Sequence, residues 1–149
     1  MLFTTISLLI SAYLLSYVLY FPALAISYKA GAIDLPNSRK THIFPTARAG
    51  GFAFFVTFCA FLLLSPIEME AKTPLIIGGT VIFLVGFFDD TISLSPFKKL
   101  AGQFLAAAVY IFVSNEKSLL EGILTLAWLM FMANATNLSD GLNGLAGGI

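Results

Sequence analysis

Five apolar runs, at residues 2–28, 50–64, 74–88, 100–113 and 119–133, contain no Asp, Arg or Lys and occupy most of the chain. Few folds accept that pattern. A membrane helix needs about 20 apolar residues to cross a ~30 Å hydrocarbon core, and it satisfies every backbone polar group within itself. The first run is long enough to cross with tilt, whereas the 15 residues at 50–64 reach only about 22 Å at ~1.5 Å per residue. Helices two to five are therefore expected to extend into their flanks, which draws flanking polar residues to the membrane surface. Composition supports the same reading: 58% of the 149 residues are hydrophobic and 11% charged, against about 45–50% and about 25% in a soluble domain. A soluble globule, a disordered tail and a nucleic-acid binder are disfavoured. The expected fold is all-α and polytopic, a single membrane domain over residues 1–149 with about five transmembrane helices and the N-terminus outside.

The first run also holds Ala23-Leu24-Ala25, a small-residue pattern like a signal-peptide cleavage site. No Lys or Arg precedes it, and the run exceeds the ~7–15 residues of an ordinary signal core, so an uncleaved helix is expected. Cys59, the one cysteine, lies inside an apolar run and reads as a small buried hydrophobe.

Orientation follows from the bases. Alternate polar segments carry Lys29, Arg39, Lys40, Arg48, Lys98 and Lys99 on one side, and Lys72 and Lys117 on the other. The richer side is expected to be cytoplasmic. The acids divide along the same line, with Asp34, Asp89, Asp90 and Asp140 inside and Glu68, Glu70, Glu116 and Glu121 outside. Function is accordingly sought on the inner face.

Asp89 and Asp90 close the third apolar run, where a helix C-terminus disfavours negative charge. Ser95 can cap the next helix with Pro96 at its first position, which puts Lys98 and Lys99 at an N-terminus that disfavours positive charge. A cation on the aspartates and an anion on the lysines would remove both conflicts, and Mg²⁺ shared with a phosphate is the simplest such pair. Neighbouring side chains on a helix diverge by ~100°, so one aspartate is expected to ligate and the other to orient or act as a base. A solvated Asp-Asp turn followed by positive-inside lysines accounts for the same residues.

The first inner loop, residues 34–51, carries two prolines and Gly50-Gly51, and is expected to be a shaped loop. Arg39, Lys40, His42 and Arg48 are candidates to grip phosphate, although inner loops are basic without binding anything. At the other end, Asn134, Asn137, Asp140 and Asn143 recur every three residues, within about 60° of one another on a helix. Their paired donors and acceptors suit a nucleobase, sugar or diphosphate. Gly144 and Gly148 read instead as a packing face.

Together these segments resemble the polyprenyl-phosphate N-acetylhexosamine-1-phosphate transferase family, which includes the phospho-N-acetylmuramoyl-pentapeptide transferases. The matching residues are Asp34-x-Pro36-Asn37-x-Arg39-Lys40-x-His42 with Gly50-Gly51, then Asp89-Asp90 with Leu94-Ser95-Pro96-x-x-Lys99-Leu100-x-x-Gln103, then Asn134-x-x-Asn137-x-x-Asp140-Gly141-x-Asn143-Gly144-Leu145-Ala146. The resemblance implies Mg²⁺-dependent transfer of a sugar 1-phosphate from a UDP-sugar to polyprenyl phosphate, normally undecaprenyl phosphate, with release of UMP at the start of cell-envelope glycan synthesis. Mn²⁺ is the alternative metal. By that likeness Asp89 and Asp90 bind metal or activate the lipid phosphate, Lys99 holds phosphate, and Asn137, Asp140 and Asn143 line the nucleotide-sugar site. Many members have Asp where this chain has Asn143, which points toward the hexosamine transferases. Expected partners are the UDP-sugar, the lipid and the membrane, with no nucleic acid and a homodimer left open, and the expected location is the bacterial inner (cytoplasmic) membrane. Family members have about ten or eleven membrane helices, so the chain is expected to be the N-terminal half of such an enzyme, inactive alone. The competing reading is a transporter or channel fragment with Asp89-Asp90 as its cation site.

Overall fold

The structure, a computed structural model, describes residues 2–36, 44–48, 50–115 and 118–139. It contains α1 (Leu2–Ala30), β1 (Ile33–Asp34), β2 (Thr46–Ala47), α2 (Gly50–Leu64), α3 (Met69–Ile92), α4 (Pro96–Ser114) and α5 (Leu119–Ser139). Four of the helices, all but α2, are long and apolar enough to cross a membrane. The chain is an all-α multi-pass membrane protein, as its apolar runs require.

Large side chains such as Leu9, Tyr13, Phe54, Leu64, Phe112 and Trp128 are exposed, while the buried apolar residues are mostly alanines: Ala23, Ala32, Ala53, Ala106 and Ala107, with Leu62. This is the reverse of a water-soluble core. Lipid is as apolar as leucine, so helices associate through small residues that let backbones approach and turn their bulky side chains outward. Ala23 on α1 packs with Ala53 on α2 among Leu19, Leu24 and Phe52. Phe55 of α2 stacks on Phe83 of α3 at 4.5 Å, and Phe83 leads on to Phe87 at 6.3 Å, just before the paired aspartates.

Helices α3 and α4 pack closely, and two glycines permit it. A Cβ at Gly78 would lie 3.0 Å from Tyr110 Cβ, and one at Gly102 would lie 2.7 Å from a methyl of Val85. The turn between these helices is set by local capping. Ser93 adopts φ 52° and its N–H donates to the Asp89 carbonyl, a left-handed helix stop that more often uses glycine. Ser95 caps α4 and Pro96 is its first residue, as expected from the sequence.

The ends of α3, α4 and α5 extend past their apolar runs, but α2 does not: it remains 15 residues long. Lys72, counted as an outer-loop base in the sequence, lies in α3, is 5% exposed, and donates to the carbonyls of Leu63 (3.0 Å) and Ser65 (2.7 Å). The Ser65 hydroxyl donates to the Leu62 carbonyl. The Leu62 and Leu63 carbonyls at the end of α2 thus find partners without another helical turn.

Candidate active site

The site is assembled from three helix ends and a sheet of two two-residue strands. Helix α1 ends in a Schellman motif, with Gly31 at φ +73°, the Gly31 N–H donating to the Tyr28 carbonyl, and the Ala32 N–H to that of Ser27. The chain turns directly into β1, which pairs antiparallel with β2 so that Ile33 faces Ala47 and Asp34 faces Thr46. The Arg48 N–H donates to the Ala32 carbonyl and continues the ladder by one residue. Side chains two apart share a face of a strand, so Arg48 lies diagonally across from Asp34, within reach of a long side chain.

Arg48 uses that placement to hold two carboxylates. One terminal nitrogen donates to Asp34 at 2.6 Å and the other to Asp90 at 3.0 Å. Burial by itself would lower the Arg48 pKa, but the hydrogen bond it donates to Asp34 and the charges of Asp90 and Asp34 hold the guanidinium above its ordinary value. Asp89 turns the other way. Its Oδ2 accepts from Lys99 Nζ at 2.9 Å and its Oδ1 from the Leu94 N–H at 3.0 Å. The conflict at the two helix ends is thereby relieved in part within the protein, an acid at the end of α3 meeting a base at the start of α4.

The divergence of the two aspartates gives them different chemical capacities. Both oxygens of Asp89 are engaged and its side chain is 21% exposed, whereas Asp90 is 37% exposed and its second oxygen takes no hydrogen bond among the described residues. Asp90 therefore has the coordination capacity to spare. Among the described residues no three His, Cys, Asp or Glu side chains gather. That donor set suits Mg²⁺, which takes one or two carboxylates and fills its other positions with water and phosphate oxygens.

Asp89, Asp90, Lys99 and Gln103 line a cavity of about 1430 Å³ together with residues of α2 and α5, Trp128 and Met132 among them. Helix α3 lines it from Leu75 to Asp90, about 22 Å of helix at ~1.5 Å per residue. The cavity is charged at the end where α3 stops and α4 starts, and is otherwise dominated by apolar and small residues. Asn134 stands against it, its Nδ2 donating to Gln103 Oε1 at 2.9 Å and to the Met130 carbonyl at 2.8 Å.

Of the residues singled out from the sequence, Asp89, Asp90, Arg48 and Lys99 come together, and Asn134 joins the same cavity wall through Gln103. Arg48, a candidate phosphate ligand, has both terminal nitrogens on carboxylates. Asn137 falls in the last turn of α5, and Arg39, Lys40, His42, Asp140 and Asn143 lie outside the described residues. Asp34 and Gln103 belong to quoted motifs but had been given no role. Gln103 was detectable as the residue four after Lys99, on the same face of α4; Asp34 carried no comparable local signal.

Comparison with known proteins bears on the whole arrangement. The glycosyl transferase family 4 profile matches residues 73–149. A probable undecaprenyl-phosphate N-acetylglucosaminyl 1-phosphate transferase of Bacillus subtilis is 34% identical over 83% of the chain and 39% of its own length. A decaprenyl-phosphate N-acetylglucosaminephosphotransferase of Mycobacterium tuberculosis is 29% identical over 94% of the chain and 41% of its own length. An undecaprenyl-phosphate alpha-N-acetylglucosaminyl 1-phosphate transferase of Salmonella typhi is 31% identical over 99% of the chain and 44% of its own length. The chain spans about two fifths of the length of these curated relatives. No solved structure is a significant match. With the profile covering just over half of the chain and a relative 34% identical over 83% of it, the chain belongs to glycosyl transferase family 4, among the polyprenyl-phosphate N-acetylhexosamine-1-phosphate transferases.

Proposed function

We propose that the full-length protein transfers a sugar 1-phosphate of the N-acetylhexosamine type from a UDP-sugar to undecaprenyl phosphate, at the cytoplasmic face of the bacterial inner membrane. The observation that carries this reading is the shape of the cavity. Its inner end holds Asp89, Asp90 and Lys99, and its apolar walls continue along α3 as far as Leu75. An acceptor with a phosphate head and a long hydrocarbon tail matches both parts, while a water-soluble donor reaches the same place from the cytoplasm.

In the reaction, an oxygen of the lipid phosphate attacks the sugar-bearing phosphorus of the donor. The bond from that phosphorus to the oxygen shared with UMP breaks, and UMP departs with the electron pair. Three anionic phosphates must meet, so the catalytic requirement is chiefly neutralisation and alignment. Bound Mg²⁺ would supply positive charge against the diphosphate, with Asp90 as the ligand that has an oxygen to spare. Asp89 holds Lys99 at the cavity mouth, and Lys99 offers its ammonium to phosphate. Arg48 keeps Asp90 turned from Asp89, so the two carboxylates do not collapse onto one another's partners.

The test is UMP release by the full-length enzyme in detergent over a Mg²⁺ titration. Asp90→Asn is expected to abolish turnover, and Asp89→Asn to reduce it by at least tenfold, an effect typical of lost groups that orient a ligand. Full activity in both variants would remove the assignment.

A further inference from the structure

Gln103 is 5% exposed, lies in a membrane-facing helix and borders the cavity, and the hydrogen bonds around it determine which way its amide faces. The Met130 carbonyl can only accept, so the Asn134 group at 2.8 Å from it is the donor nitrogen. The same nitrogen stands 2.9 Å from Gln103, so the Gln103 atom facing it is the acceptor oxygen. By elimination Gln103 Nε2 is on the far side of the amide. Among the described residues that nitrogen takes no partner, and it is not a buried atom, since Gln103 borders the open cavity. Its two N–H bonds are left for whatever occupies the cavity.

Depth along α4 narrows the ligand. Gln103 follows Lys99 by four residues on one face, about 6 Å farther from the inner surface. Beyond it the α4 wall continues as Ala106, Ala107 and Tyr110. Gln103 is therefore the last α4 donor along the cavity for about 10 Å, until Tyr110 seven residues on, at the level where a head group gives way to its tail. A neutral amide tolerates that depth, where a second lysine would be costly to bury.

We infer that Gln103 is a substrate-contacting residue whose amide donates to an oxygen of the polyprenyl phosphate head group, and that Asn134 is a positioning residue that sets the direction of that amide. The inference rests on the acceptor proposed above and goes beyond it in naming the donor. It also gives Asn134, a candidate for direct substrate contact, an indirect role through Gln103.

The experiment uses full-length protein in detergent and reads two quantities: equilibrium binding of undecaprenyl phosphate without donor, and KM for the UDP-sugar. Gln103→Leu is expected to weaken lipid-phosphate binding about tenfold, the loss of one hydrogen bond to a charged group, with the donor KM changed less than about twofold. Asn134→Asp replaces the donor by an acceptor, so Gln103 must turn its amide and present oxygen to the cavity; a similar loss is expected. In a Gln103→Leu background, Asn134→Asp should add nothing. If Gln103→Leu does not fold, the near-isosteric Gln103→Glu carries the same test, because it replaces the donor by a carboxylate and should weaken binding at least as much. Unchanged lipid-phosphate binding in the Gln103 variant overturns the inference. A loss confined to donor KM, or an Asn134→Asp effect that persists undiminished without Gln103, also overturns it. Wild-type protein that binds no undecaprenyl phosphate at all removes the underlying functional reading together with this one, and that outcome is distinguishable from the others.

Discussion

Arg48 and Asp90 stand 42 residues apart in the chain and are joined by a 3.0 Å hydrogen bond, while the same guanidinium holds Asp34 at 2.6 Å. The arginine thus ties the two-stranded sheet after α1 to the C-terminal end of α3. Its side chain is 35% exposed, so each pair contributes only about 0.2–1 kcal/mol of stability, and the value of the contact is geometric.

Arg48→Ala is expected to lower kcat/KM by at least tenfold while moving Tm by only a few degrees. Arg48→Lys should recover part of the loss, because a point charge cannot span both carboxylates as the planar fork does. The raised pKa of Arg48 keeps its charge at every accessible pH. Its contribution would be lost only as pH rises through that elevated value, so no alkaline fall in activity near neutrality should trace to it. UMP release against pH and a thermal melt in detergent measure both points.

Gly102→Leu should separate α3 from α4. Even a single Cβ at Gly102 would lie 2.7 and 2.8 Å from the two methyls of Val85, and Val is stiff at χ1 and cannot easily turn aside. A cost of about 1–3 kcal/mol is expected from such overpacking, seen as a lower Tm. Activity should fall further than stability alone explains, because Asp89 and Lys99 sit on these two helices. Val85→Ala in the same chain should restore part of both.

Lys72→Met should destabilise the C-terminal end of α2 by about 1 kcal/mol, since two part-buried carbonyls lose the donor that Lys72 supplies. Arg at that position should be better tolerated than Met. Denaturation in detergent and hydrogen exchange at the α2–α3 connection report the change, with little direct effect expected on Mg²⁺ dependence.

A cysteine in place of Ser38, with native cysteines removed, should resist a membrane-impermeant thiol reagent added to intact cells and react once the membrane is opened. Labelling from outside would reverse the proposed topology, in which the first inner loop faces the cytoplasm.

The helices were legible in the sequence because their signals are local. The apolar runs announce the spans, Ser95-Pro96 marks the start of α4, and the spacing of the aspartates already implied that they diverge. Tertiary structure decided the pairings. Whether Asp89 meets Lys99, and Asp90 meets Arg48, depends on how closely α3 and α4 approach at Gly78 and Gly102 and on how a two-stranded sheet aims its last side chain. The end of α2 and the direction of the Gln103 amide were likewise set by residues on another helix, Lys72 and Asn134. Helix formation in lipid follows from each segment's own composition, whereas a charge or an amide chooses its partner by distances that exist only after the helices have packed.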